Sequence, residues 1–288
     1  MKASSIMISL LLVFFCSLVQ AENLLPMSVL SRDITNYHNF LIEQNKSVLE
    51  IESLESQYSN RNIACIVIIM QALHKGGYPA KLLIIKAPNY ARELSMVKNG
   101  HSVIMHQDAW DTAFDNNSVY KSSEIIPRGN FVKGFYVKES DKKMYGVRNL
   151  EDLKPFTSVS NSRWEIDWAT LEKIGLRSLS TTPTKESMIK MVLFRDIDFT
   201  LQEFTSSKDL SYETEQGKLI PVPGIKIALD GSRHFMVSKK HKNGKEVFQA
   251  LEKGIKILRS EGTIDRYLTE AGFYREQVAD WKTINFDD

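Results

Sequence analysis

From Ile63 to Leu73 the chain reads IACIVIIMQAL, apolar everywhere but Gln71. Its β-branched content suits a strand. The run is long for a strand, however, and Gly76-Gly77 closes it as a helix C-cap does. The reading is a buried helix. Around it the pattern alternates. Residues 48–53 (VLEIES) switch between apolar and polar and predict a strand. Residues 81–86 (KLLIIK) predict another, 89–98 a helix stopped by Asn99-Gly100, and 102–105 a third strand. Strands alternating with helices imply an α/β fold with a parallel sheet and right-handed crossovers. Ahead of this block, residues 33–44 read as a short helix.

The middle of the chain repeats the theme. Strands are expected at 131–138, 156–160, 176–180 and along RDIDFTLQEF (195–204). A helix is expected after Thr182-Pro183, with Thr182 as N-cap and Pro183 at the first helical position. Ser162 and Glu165 have capping-box spacing at the start of another helix, which ends at Gly175. Near the C-terminus, strands are expected at 225–229 and 234–238. An amphipathic helix follows, with Val247, Ala250, Leu251, Ile255 and Leu258 on one face. Gly262 breaks it, and a shorter helix runs over 263–270.

The first 21 residues read differently. Lys2 precedes an apolar stretch from Ile6 to Val19, and Val19-Gln20-Ala21 offers small residues for cleavage. This is the pattern of a secretory signal peptide cut after Ala21, which predicts export to the periplasm. The net charge of +2 loses one unit with Lys2. Such balance gives no case for nucleic acid. Of two cysteines, only Cys65 outlasts the cleavage, so no internal disulfide is expected and the chain depends on its core. The six histidines form no metal-ligand pattern, no cofactor motif is present, and G-x-S-x-G, HExxH and Walker signatures are lacking.

Three segments resemble the bacterial extracellular solute-binding proteins of family 3, the periplasmic amino-acid-binding type. They are GKEVFQALEKGIKILRSEGTIDRYLTEAGF (244–273), TPTKESMIKMVLFRDIDFTL (182–201) with Asp198, and NLEDLKPFTSVSNS (149–162) before a helix. The resemblance implies a type 2 periplasmic-binding-protein-like fold of two α/β lobes. Lobe 1 would comprise 22–126 and 223–288, lobe 2 the inserted 127–222, with two crossover strands between them. A small solute would bind between the lobes and hinge closure would bury it. The partner would be a membrane permease of an ABC transporter, or a sensor protein, and the protein would act as a monomer. The sequence departs from the family where VIMHQDAWDTAF (103–114) carries no Arg.

That departure directs attention to other cations. Arg61, just after Tyr58 and Ser59, and Arg163, beside Trp164, both open helices, where the dipole disfavours a cation. Each gains if it meets an anion, and Arg binds a carboxylate bidentately. Asp198 is the acceptor for a ligand ammonium that the resemblance indicates, with Glu203 a weaker candidate. Trp110 offers a stacking surface. Tyr58, Arg61, His106, Trp110, Arg163, Trp164 and Asp198 are therefore the candidate ligand residues, although Trp164 equally suits a packing role. The leading expectation is a binding protein for a small anionic or zwitterionic, amino-acid-like solute. The alternatives are a ligand-sensing input protein and a periplasmic lyase or dehydratase using His106 with Asp108 or Glu203.

Overall fold

The computed structural model describes residues 23–215 and 217–286; the expected signal peptide lies outside them. The chain opens with β1 (Asn23–Leu30), α1 (Ser31–Gln44), α2 (Arg61–Lys75), β2 (Ala80–Ala87), α3 (Tyr90–Lys98), β3 (Ile104–Met105), β4 (Ala109–Trp110) and β5 (Val119–Ile126). The apolar run 63–73 is the expected helix, α2, buried from Asn62 to Leu73. Cys65 lies within it as a buried free thiol.

One expectation fails here. VLEIES is not a strand. Ser47 and Glu50 close a capping box, so Val48–Glu50 forms a 3-10 turn. Ile51 and Leu54 drop into the core, while Gln71 Nε2 donates to the carbonyls of Val48 and Ile51 at 3.2 and 2.8 Å. That side chain takes the carbonyls a sheet neighbour would need. The strand that pairs with β2 is instead β1, in parallel register from Asn23 opposite Ala80 to Leu30 opposite Ala87.

The second part comprises β6 (Val132–Lys138), β7 (Thr157–Ser160), α4 (Glu165–Ile174), β8 (Ser178–Thr181), α5 (Lys185–Phe194), β9 (Thr200–Gln202), β10 (Tyr212–Thr214), β11 (Gly217–Pro221) and β12 (Ile225–Ala228). The chain then runs through β13 (Arg233–Ser238), α6 (Gly244–Ser260), α7 (Thr263–Glu270) and β14 (Lys282–Thr283). One sheet has the order β2-β1-β3-β13-β4, with β5 also on β13. A second has the order β10-β11-β6-β12-β14, with β9 also on β6, and β7 and β8 form a separate parallel pair. The first sheet is mixed rather than parallel throughout, because β13 runs antiparallel to β3, β4 and β5. The chain re-enters it from the other sheet, at the opposite end.

Sheet membership changes between Ile126 and Val132 and again between Ala228 and Arg233. The return expected at residue 223 therefore comes later, since β12 is still hydrogen-bonded to β6. There is also a third crossing. After α7 the chain runs back and lays β14 beside β12.

Each sheet is covered on both faces, as the layering of α/β domains requires. Helices α1, α2, α6 and α7 share one core with the first sheet, and α3 closes its other face with Val97 against Met105 and Met236. Around the second sheet, α4 supplies Leu171 and Ile174 to one core, and α5 supplies Met188 and Val192 to another. Helices α2 and α6 meet backbone to backbone. A Cβ on Gly254 would lie 1.8 Å from the Ala72 carbonyl oxygen, and one on Gly76 1.9 Å from that of Ala250.

Candidate functional site

A cavity of about 610 Å³ opens between the two sheets. The first sheet's side contributes Arg61 and its preceding loop, together with Gly272 and Phe273 after α7. The other side contributes Lys133, Trp164, Lys185 and Glu203. The N-terminal ends of α2, α4 and α5 thus all reach this space. Helix N-termini carry partial positive charge and suit anions. Asn60 caps α2 by accepting from the N–H groups of Asn62 and Ile63, and Thr184 caps α5 by accepting from Ser187.

Arg61 is held before any ligand arrives. Its guanidinium is ion-paired with Asp108, which has no solvent exposure, and keeps only 14% of its own side-chain exposure. It also lies over the rings of Phe131 and Phe273, at 5.4 and 5.6 Å. Arg233 Nε donates to the same Asp108 oxygen at 2.8 Å. Burial opposes charge on Arg61 and Asp108, but their mutual attraction outweighs it. The arginine stays above its ordinary pKa and the carboxyl below its own.

Other charges at the cavity fall into two groups. Lys133 is ion-paired with Asp167 and lies 5.3 Å from the Trp164 ring. Glu270 accepts from the Leu54 N–H at 2.7 Å and pairs with Arg266 at 3.2 Å. Both are occupied. By contrast, Lys185, Arg275 and Glu203 have no ion-pair partner among the described residues. Lys185 Nζ sits 3.9 Å above the Tyr212 ring, and burial lowers its pKa. Burial likewise lowers that of Arg275, whose Nε is buried without a hydrogen-bond partner. The Tyr212 hydroxyl donates to the Glu203 main-chain carbonyl at 2.6 Å, which fixes the ring between Lys185 and the Glu203 backbone.

Of the sequence candidates, Arg61, Trp164 and the weaker candidate Glu203 line this cavity. Tyr58 packs against the first core beside it. Trp110 packs against Phe131 with the rings tilted, centroids 5.0 Å apart, and lies beneath Arg233 at 4.5 Å, as support for the arginine cluster. His106 is fully buried, with Nδ1 2.5 Å from Glu93 and Nε2 3.0 Å from Asp33. It is sealed away from the cavity, so it is not placed to act as a general base there. Arg163 is exposed and does not line the cavity. Asp167, one helical turn on, pairs with Lys133 instead. Asp198 accepts from the N–H and the hydroxyl of Thr157 at 2.7 and 2.8 Å, which ties β7 to the segment before β9.

Two cap readings also shift. Asn161, not Ser162, organises the turn before α4. Its side chain accepts from the Arg163 N–H at 2.9 Å and its carbonyl from Trp164 at 2.9 Å. The helix then begins only at Glu165, where a Ser162–Glu165 box cannot form. Helix α5 begins two residues later than expected, because Thr184 rather than Thr182 takes the N-cap.

Sequence reasoning missed Lys185, Arg275, Tyr212 and Lys133. Lys185 was within reach: it is a cation in a first helical turn, the same feature that singled out Arg61. Arg275 carries no such local signal.

No family model and no curated protein sequence matches the chain. Solved structures do. An amino acid ABC transporter substrate-binding protein of Streptococcus pneumoniae, bound to L-arginine, superposes with a TM-score of 0.51 at 17% identity, over 72% of this chain and 82% of that one. A variant of the T. maritima protein ArgBP gives 0.52 at 11%, over 86% and 94%. The periplasmic VFT2 domain of Bordetella pertussis BvgS gives 0.53 at 11%, over 73% and 83%. At these identities the likeness is one of fold: a two-lobed α/β architecture shared with periplasmic binding proteins.

Proposed function

We propose that this chain is an exported solute-binding protein that closes its two halves over a small polar, amino-acid-like solute and delivers it to a membrane transporter. The observation that supports this reading is the charge pattern of the inter-sheet cavity. Lys185 and Arg275 stand ready for anionic groups and Glu203 for a cationic one, while every other cavity charge is already matched or shared. His106, the residue on which the enzyme alternative turned, is sealed elsewhere. Arg61 acts as a fixed wall whose charge is felt by the solute, and Trp164 and Phe273 exclude water. The protein works as a monomer in the periplasm, its first 21 residues having been removed on export.

The test is a thermal-shift screen of the purified protein against amino acids, small carboxylates and polyamines. A ligand that binds only the folded state raises the melting temperature by mass action. Lys185→Gln should abolish the rise. A screen in which nothing shifts contradicts the reading.

A second reading is favoured by the fold shared with the BvgS domain. In it the closed form instructs a membrane signalling protein instead of a permease. Ligand-dependent capture of a membrane partner, followed by its identification as permease or kinase, separates the two.

A further inference from the structure

We infer that the solute is acidic overall, with two carboxylate groups and one ammonium. This rests on the binding role proposed above and narrows it to a charge class. The argument counts the charges that face the cavity and asks which of them the protein itself neutralises.

Lys133 and Asp167 cancel, as do Glu270 and Arg266. Arg61 and Arg233 share one carboxylate, that of Asp108, so this cluster keeps one positive charge. Lys185 and Arg275 add one each, and Glu203 removes one. The cavity is left with an excess of two positive charges and a single free carboxylate. Two further groups act on Lys185 from its surroundings, Glu186 and Arg32. They are of opposite sign and both exposed, so they offset one another.

The positions of these charges limit how a solute can satisfy them. Lys185 enters from the start of α5 and Arg275 from the segment after α7, and the Tyr212 side chain neighbours both. A single carboxylate meeting both would leave the arginine cluster's excess unanswered. Two carboxylates, one meeting Lys185 and Arg275, where it can accept from the buried Arg275 Nε, and one toward the arginine cluster, cut the excess from two positive charges to one once the ammonium is counted. Glu203 then faces the solute's ammonium. Its field already reaches both Arg61 and Lys185, so it stands between the two cationic regions. A solute of net positive charge would place its extra cation against one of them, at a cost that rises as closure excludes water. A neutral zwitterion would leave both excess positive charges in a partly desolvated site.

The experiment uses isothermal titration calorimetry with the intact mature chain. The probes are L-glutamate, L-aspartate, L-glutamine and L-arginine at one pH and ionic strength. Glutamate and glutamine have nearly the same shape and differ by one charge. One of the two acidic probes is expected to bind at least about tenfold more tightly than glutamine, and L-arginine is expected to bind weakest. Lys185→Gln and Arg275→Gln, both partly exposed positions, should each cut acidic-probe affinity while leaving the melting temperature of the free protein in place. Glu203→Gln should weaken glutamate and glutamine alike. Binding of glutamine or arginine as tight as that of the acidic probes overturns the charge class and leaves the binding role standing. No heat with any probe, together with a thermal screen in which nothing shifts, overturns the binding role and this inference with it.

Discussion

Arg233 and Asp108 are joined twice, by Nε to the carboxylate at 2.8 Å and by Nη2 to the main-chain carbonyl at 2.6 Å. Both residues are buried. The second bond fixes the direction of the guanidinium, and the shared carboxylate then orients Arg61 toward the cavity. Asp108→Asn strips the counterion from two buried guanidiniums. Removing one partner of a buried pair typically costs about 3–5 kcal/mol. Chemical denaturation of the variant should show a loss of that size, with solute affinity falling as Arg61 loses its anchor. A loss under about 1 kcal/mol, the range of a surface pair, would contradict the buried arrangement.

His106 predicts a pH dependence. Burial works against its charge, but hydrogen bonds to Asp33 and Glu93 outweigh it and raise the pKa above 6.5. Stability from this raised histidine is complete below pH 6.5 and is lost as pH climbs through the folded-state value. Asp33 behaves oppositely. Burial would raise its pKa, but His106, Asn62 and Arg32 lower it below 3.8. Its contribution is present above 3.8 and lost as pH falls through the folded-state value. The melting temperature should therefore drop as pH rises above 6.5, and His106→Gln should flatten that limb. An identical alkaline limb in wild type and variant refutes the assignment.

Asp198 should prove structural. Asp198→Ala removes two hydrogen bonds from Thr157 and leaves that part-buried N–H unmatched, a cost of about 1–3 kcal/mol. Solute affinity, read by calorimetry, should stay unchanged. A variant of normal stability that no longer binds solute would restore Asp198 to the site.

Gly254→Ala places a methyl group 1.8 Å from a backbone oxygen of α2. The two helices must separate, at a cost of about 1–3 kcal/mol or more. Gly146→Ala meets nothing within 4 Å and serves as the control, with a change within about 0.5 kcal/mol. Equal melting temperatures for the two variants would contradict the close approach.

The sequence carried most of the fold but less of the site, and particular residues show why. Helix α2 announced itself through the length of its apolar run, and α6 through the spacing of Val247, Leu251 and Leu258. Strand β1 escaped because NLLPMSVL contains a proline and directly follows the export-type leader. VLEIES misled because period-two alternation is also what a chain gives when Ile51 and Leu54 dip into a core from a loop. At the site, Arg61 was found by a local electrostatic rule. Its counterion Asp108 lies 47 positions away and had been read as a candidate catalytic group. Asp198 had local polarity right, but only the fold reveals that Thr157 consumes it. Arg275 reaches the cavity through the third crossing, which no short-range pattern announces.

Strand β13 has one more consequence. It sits inside the first sheet, between β3 and β4 and against β5, yet its residues follow β6 through β12 in the chain. During translation the opening hundred residues emerge with a gap where this strand belongs and with α2 still uncovered by α6. The nascent chain cannot seal its first body until those late segments leave the ribosome. Until then it stays loose, and it needs protection from aggregation for nearly the whole of its synthesis.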